Sequence, residues 1–504
     1  MSDIFNRSRD TLKQYFELPQ SFEKDLGKYF VWDKVLESSN RYGCAGKGGV
    51  PLSSNKNANG NIFVSIDDSD THTLVFGATA SKKSRLVAMP TVKILGDAGE
   101  SIIVADPKAE IYERTAYDLK KKGYNVFTVN LRNPNLGDGW NPLSIPFAIY
   151  KNGIEDIDRA YEFANDIAVN LAAIDSAFSK DPFWENSASS FFFGLIMLLF
   201  KIASEEETPL ELEHVNIGNI IKLREEICRN YNFADINNPT PIVEYAKEDP
   251  FIKSLLIGTI DSYDSTRAGI LSTFDQKMRT FAIQPNLLNM LSVDDKILDS
   301  LLEKPTAIFL IVPDEKTSYH NLVSLFIKQS YEYLINKHQE SKRTNHDIKQ
   351  RVNYILDEFS SLPTINDFPA MITAARSRDI RFMLFVQSKH QLDLRYGKEA
   401  ETIRANCNNW IFLVSREIDL LKELSELCGN RRLKDGVFAP VLSVTDLQRF
   451  DKTKGEALIL SGRKKPYIAS LLDINEYDNA KFEPLIQQKF KRKTYEFDFS
   501  TLFE

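Results

Sequence analysis

Seven short apolar runs punctuate this chain: His72 to Phe76, Ser101 to Ala105, Asn125 to Asn130, Ala307 to Val312, Asn353 to Leu356, Phe382 to Val386 and Trp410 to Val414. Polar or helix-patterned segments separate them, such as the helical pattern over Glu110 to Lys122. Strands this short and this apolar are covered on both faces, and strands alternating with helices build a mostly parallel sheet. An α/β fold is expected. Asn61 to Ile66 alternates like an edge strand, whereas Gly43 to Gly60 reads as loop and Ser8 to Phe16 as an amphipathic helix.

A chain of 504 residues can carry a long insertion in one α/β core. From about Ala203 to Arg267 the sequence is polar and helix-favouring, with no comparable apolar run, which predicts an inserted all-α domain. The expected division is an N-terminal extension (1–59), two parts of the core (60–202 and 268–488) around the insertion (203–267), and a tail (489–504). That tail turns from basic (KFKRK) to acidic and aromatic (YEFDFSTLFE).

The net charge of -7 argues against a protein that wraps nucleic acid, so any such contact needs a local basic surface. Cys44, Cys228, Cys407 and Cys428 lack zinc or disulfide-framework spacing, which fits a reducing compartment. Met1 to Asp10 has no signal-peptide core, and the apolar Phe191 to Phe200 is about half the ~20 residues that span a bilayer. A cytoplasmic chain is expected, or one peripheral at the inner face of the cell membrane and held there only through partners.

LVFGATASKKSR, Leu74 to Arg85, sets a glycine after an apolar run and a Lys-Ser pair six residues later, the register of a phosphate loop. Such a loop needs backbone N–H groups around phosphate, a lysine at the β- and γ-phosphates and a hydroxyl on Mg²⁺. Gly77, Lys83 and Ser84 fill those roles, with Ala78, Thr79, Ala80, Ser81, Lys82 and Arg85 completing the candidate cradle. Lys82 replaces the second glycine, which strains the backbone if that position is left-handed. A strand followed by a basic helix start would also fit this register.

NYILDEFSSLP ends an apolar run in two acids: Asp357, suited with Ser84 to hold Mg²⁺, and Glu358, suited to orient the attacking water. Gln387, closing RFMLFVQS, is placed to sense a γ-phosphate. Between them, Arg376, Arg378 and Arg381 are candidates for a finger reaching a neighbouring subunit, or for ordinary solvated arginines.

In order along the chain, GATASKKSRL, SIIVADPKAEIYERT, LKKKGYNVFTVNLRNP, DGWNPL, DPFWENSA, YILDEFSSLP, AARSRDIRFMLFVQSKHQL, IRANCNNWIFL and GEALILSGRKKPY resemble the type IV secretion coupling proteins. These are conjugative DNA-transfer ATPases related to the FtsK/HerA pumps. The resemblance implies a RecA-like P-loop domain interrupted by an all-α, substrate-recognising domain, assembled as a homohexamer. It implies ATP and Mg²⁺ as ligands, with single-stranded DNA, a relaxase or other secreted protein, and secretion-channel components as partners. Lys83, Ser84, Asp357, Glu358 and Gln387 match its motifs, and Asp106, Pro107, Lys108 and Glu110 its DPKxE run. Asp138 to Leu143 is expected to be a turn anchored by Trp140. The chain departs from the family in lacking an expected N-terminal membrane helix and in carrying Ala80 and Lys82 where glycines are usual. A hydrolysis-impaired receptor and a cytoplasmic DNA pump or helicase are the alternative readings.

Overall fold

Each of the seven apolar runs is a strand of one sheet, because alternate side chains of each find a covering layer on either face. A computed structural model describes residues 48–57, 59–153, 156–173, 181–228, 241–313, 315, 319–344, 350–432, 437–477 and 483–502. The Ser8 to Phe16 pattern and Cys44 lie outside them. In chain order the strands are β1 (Val50–Lys56), β2 (Ile62–Asp67), β3 (His72–Phe76), β4 (Ser101–Asp106), β5 (Asn125–Asn130), β6 (Thr306–Ile311), β7 (Val352–Leu356), β8 (Ile380–Val386), β9 (Cys407–Phe412), β10 (Asn430–Arg432), β11 (Phe438–Pro440), β12 (Glu456–Ser461) and β13 (Tyr467–Ser470). Nine of them form a sheet in the order β13-β12-β9-β3-β8-β7-β4-β6-β5. The pairs from β9 through β3, β8, β7 and β4 to β6 are parallel, while β12 runs antiparallel to both β9 and β13.

On one face Val104, Phe309, Ile355, Phe385 and Ile411 pack with Val92 and Leu95 of the helix Met89–Ala98 and Ile111 and Leu119 of the helix Glu110–Lys121. The intervening residues face the other way, where Phe382 stacks on Tyr354 and meets Phe368 edge-on. Each such side chain contributes roughly 1.5–3 kcal/mol.

Two local expectations differ from the structure. Val50–Lys56, inside the stretch read as loop, is a strand, and it pairs antiparallel with β2 in a separate two-stranded sheet. Val50 and Leu52 are its only buried large apolar residues among Ser, Asn and Lys, too few to stand out as a period-two run, and Pro51 sits at a register shift. The strand-free stretch also exceeds 203–267: helices run from Ser144–Lys151 to Ile297–Glu303, with no strand among the described residues between β5 and β6.

By its contacts the chain divides into two units. The first holds residues 1–127, 299–311 and 335–486, with most of the sheet; the second holds 128–298, 312–334 and 487–504 and is built mainly of helices. At the centre of the second lies Phe183–Ser204, which by length and composition could cross a bilayer. It is instead mostly buried in its own unit, against Ile157–Ala168, Pro250–Ile260 and Asp264–Ala282, with Phe274 edge-on to Phe191 and Phe192. Its stretch Phe191 to Phe200, apolar on all sides, reads as core of either unit, which is why the pattern does not mark the boundary.

The expected Asp138 to Leu143 turn is held by Trp140, buried and donating from Nε1 to Gln329 Oε1 at 3.1 Å, and by Asp138 accepting from Thr128 N at 2.6 Å. The tail belongs to the same unit. Arg492 donates to Gly137 O at 2.6 Å, Asn216 and Asn219 both donate to Tyr495 O at 3.0 and 2.9 Å, and Phe499 is buried.

Candidate nucleotide site

The C-terminal ends of parallel strands are where α/β sheets bind ligands, and strand order decides which residues meet there. β3 ends at Phe76 and releases the loop Gly77 to Ser84; β8, its neighbour, ends at Val386 before Gln387; β7, next again, ends at Leu356 before Asp357; β4 then ends in Asp106. Segments some 280 residues apart are thus gathered at one sheet edge by the order β3-β8-β7-β4.

Neighbouring strand ends hold the loop open at its start: Gly77 N donates to Val386 O at 3.1 Å and Ala78 N to Val414 O at 2.8 Å. Gly77 is required by close approach, since a Cβ there would lie 2.4 Å from Ser81 Oγ and 2.8 Å from Lys83 Cγ. Ala80 and Lys82 take φ of 61° and 65°, the left-handed region. For residues with a Cβ that conformation costs roughly 1–2 kcal/mol each, so both positions ask for glycine and neither has it. Ser81 Oγ is buried with no hydrogen-bond partner, a polar group left for a ligand or water. Lys83 Nζ donates to Gly77 O at 2.6 Å and lies 3.9 Å from Glu358 Oε1; burial lowers its pKa, against the pull of the two acids.

The loop continues into a helix whose first turn, Ser84–Ala88, is widened, with Met89 N donating five residues back to Ser84 O. Pro90 has no N–H for the carbonyl four residues earlier, which favours the wider turn.

Ser84 Oγ donates to Asp357 Oδ2 at 2.9 Å. Burial, with the Glu358 charge beside it, pushes the Asp357 carboxyl up to about 6. Glu358 follows with φ of 54°, a strained turn that sends its carboxylate to Gln387 Nε2 at 2.6 Å, while Gln387 Oε1 accepts from Thr79 Oγ1 at 3.4 Å. Gln387 therefore bridges the loop and the acids, as expected of a strand lying between theirs. Asp106 accepts from Tyr112 N at 2.8 Å at the start of the following helix, and burial pushes it up to about 7. This gives the DPKxE run a physical role: its aspartate caps that helix one strand away from Asp357.

Among the described residues no group of three His, Cys, Asp or Glu side chains could hold a metal unaided. Ser84 and Asp357 offer one hydroxyl and one carboxylate, which fits Mg²⁺, an ion that takes its remaining ligands from phosphates and water.

The arginines separate. Arg376, exposed, donates from Nε to Asp70 O at 3.0 Å, and Arg378 from Nη1 to Ala374 O at 2.8 Å; both precede β8, at the opposite sheet edge from the loop of their own chain. Arg381 is 1% exposed, with Nη2 at 2.5 Å from Glu100 Oε2 and Nε at 2.7 Å from Asn353 Oδ1. It is a buried cation whose guanidinium is spent on Glu100, Asn353 and Gly48 O of its own chain.

A family model described as Type IV secretory system Conjugative DNA transfer matches residues 29–454. The chain belongs to that conjugative DNA transfer family. Similar proteins are the type IV secretion system-coupling proteins VirD4 of Bartonella henselae, 21% identical over 77% of this chain and 56% of that protein, and of Bartonella quintana, 22% identical over 76% and 55%. The chain spans about half the length of these relatives. Among solved structures, plasmid coupling protein TrwB in complex with ADP and Mg²⁺ superposes with a TM-score of 0.59 over 91% of this chain and 96% of that one, at 15% identity, a likeness of fold.

One residue of the site escaped the motif reading of this family member. Asp473, beyond β13, accepts from Arg85 Nε and Nη2 at 3.3 and 2.7 Å and lies 3.8 Å from Lys82 Nζ. β13 is antiparallel to β12, which is antiparallel to β9, so β13 runs in the sense of β3 and ends at the edge of the loop. No local motif announces a lone aspartate in LLDINEY.

Proposed function

We propose that the chain is the ATPase of a type IV secretion coupling system, a ring-forming motor that uses ATP hydrolysis to move DNA, or a relaxase joined to DNA, toward the secretion channel. The convergence of the loop Gly77 to Ser84 with Asp357, Glu358 and Gln387 on three adjacent strand ends carries this reading, and membership of the conjugative DNA transfer family supplies the cargo class.

In this reading the loop's backbone N–H groups and Lys83 bind the phosphates, and Lys83 leaves Gly77 O to do so. Ser84 and Asp357 would hold Mg²⁺, which neutralises charge on the phosphates. Glu358 orients the attacking water and accepts its proton; Gln387, already hydrogen-bonded to Glu358 and Thr79, relays the filled state of the loop to the acid. Arg376 and Arg378 lie away from their own loop, which supports action on a neighbouring subunit of a homohexamer. Membrane attachment through channel partners completes the proposal.

The test is ATP turnover of the purified protein with and without single-stranded DNA, beside Lys83→Ala and Glu358→Gln. Glu358→Gln is expected to lower turnover by roughly 10²–10⁴-fold, and DNA to raise it in the parent. Nucleotide binding without turnover would favour the receptor reading, for which the strained Lys82 is the supporting observation. Turnover that survives both substitutions would sink the motor.

A further inference from the structure

We propose that Lys82 and Asp473 form a charge-exchange pair: Lys82 rests on Asp473 in the empty loop and moves its ammonium to the terminal phosphate of a bound nucleoside triphosphate. Asp473 then sets how tightly, and how selectively over the diphosphate, the loop holds its ligand. The proposal rests on the nucleotide-site reading above.

The two cations around Asp473 are not equivalent. Arg85 takes Oδ1 with two hydrogen bonds, whereas Lys82 stands 3.8 Å from Oδ2, beyond hydrogen-bond reach, and Oδ2 accepts no hydrogen bond. Lys82 is thus held by charge alone, with its side chain one-third exposed. Its departure leaves Asp473 neutralised by Arg85.

The backbone of Lys82 is fixed while its side chain is not. Its carbonyl accepts from Leu86 N at 2.8 Å at the start of the helix, and its φ of 65° is one that glycine would adopt without strain. So loose an ion pair does not offset that strain. An ammonium-to-phosphate hydrogen bond, charge-assisted on both sides, does. Lys83 and Ser84, the next two residues, already point into the site, so the strained turn presents a second cation at the mouth of the same anion cradle. A triphosphate, being more anionic than a diphosphate, competes better with Asp473 for that cation.

Dissociation constants for a non-hydrolysable ATP analogue and for ADP, both with Mg²⁺, decide the matter in the parent, Lys82→Gly, Lys82→Arg, Asp473→Asn and Lys83→Ala. Lys82→Gly is expected to weaken the triphosphate about tenfold and ADP less than about twofold, the loss of one charge-assisted contact. Lys82→Arg restores the preference, and Asp473→Asn tightens the triphosphate. A Lys82→Gly protein that binds the analogue as tightly as the parent or more tightly, as strain relief alone would give, overturns the exchange, and so does equal weakening of both nucleotides. Should Asp473→Asn fail to fold, the three Lys82 forms still decide. A parent that binds neither nucleotide, or binding unchanged in Lys83→Ala, sinks the nucleotide reading itself; binding lost in Lys83→Ala but kept in Lys82→Gly sinks only the exchange.

Discussion

Asp357 is a carboxyl group kept up at about 6 in a site that needs a carboxylate, and Asp106, one strand away, is pushed up to about 7. A metal ligand must shed its proton, so affinity for Mg²⁺-nucleotide is expected to fall as pH drops below about 6, approaching tenfold per unit, and to level off above it. Asp357→Asn should bind weakly with no such profile; titration of binding against pH checks both. Stability of the empty protein should move the other way. An acid whose folded pKa is raised contributes stability in full below its unfolded value near 3.8, and that contribution is lost as pH rises through about 6 for Asp357 and about 7 for Asp106. Denaturant unfolding of the empty chain across that window should therefore show these two acids favouring the lower pH, and saturating Mg²⁺-nucleotide should oppose the trend. At this scale Gly77, Lys83, Ser84, Asp357, Glu358 and Gln387 were legible because each follows the strand that presents it. Asp473 was not, standing 388 residues from Arg85 with no motif around it.

At the scale of an element, β8 shows how three arginines of similar appearance part company. Arg376 and Arg378 precede the strand and touch backbone carbonyls, whereas Arg381 is its second residue, enclosed with Glu100 and Asn353. Glu100 also meets Arg351 at 3.3 Å and accepts from Gly48 N at 3.1 Å, so the network ties β8 to the start of β4 and to the segment before β1. Without Arg381, Glu100 keeps Arg351, but Oε2 loses its charged partner, Asn353 Oδ1 loses its donor and a buried space the size of the arginine opens. Arg381→Ala should lower stability by roughly 3–5 kcal/mol, while Arg376→Ala and Arg378→Ala should change it by less than ~1 kcal/mol and act, if either is the finger, on turnover alone. Chemical denaturation beside ATPase assays separates the two behaviours. The strand itself could be read from RFMLFV; the fate of its arginine could not, because Glu100 lies 281 residues away. The same holds for β1, whose strand character comes from pairing with β2 and burial of Val50 and Leu52 rather than from its own pattern.

Across the whole molecule the chain passes between its two units at 127/128, 298/299, 311/312, 334/335 and 486/487, so the sheet-bearing unit is assembled from three separate stretches. The polar stretch 203–267 marks where an insertion is expected, and among the described residues no strand lies between β5 and β6; the stretch Phe191 to Phe200, apolar on all sides, gives no sign in the sequence of the unit it joins. The last passage, into residues 487–504, has a thermodynamic consequence. The tail fills hydrogen-bonding groups that would otherwise be left to water: Asn216 and Asn219 on Tyr495 O, Asn219 Oδ1 on Phe497 N, and the carbonyls of Pro134 and Gly137 on Arg492. The His214 ring meets Tyr495 and Phe497 edge-on, and Phe499 is buried. A chain ending at Ile486 should keep its affinity for nucleotide, since Arg492, Tyr495 and Phe497 rest on Pro134, Gly137, His214, Asn216 and Asn219 of their own unit, and should lose stability in the helical unit. Phe499→Ala alone should cost about 3–5 kcal/mol there, the usual range for truncating a buried phenylalanine. Two units with separate cores can unfold in separate steps, so calorimetry should show the helical transition moving down while the transition raised by Mg²⁺-nucleotide stays in place. A truncated chain that melts as the full one does would mean that the tail rests on the helices without stabilising them.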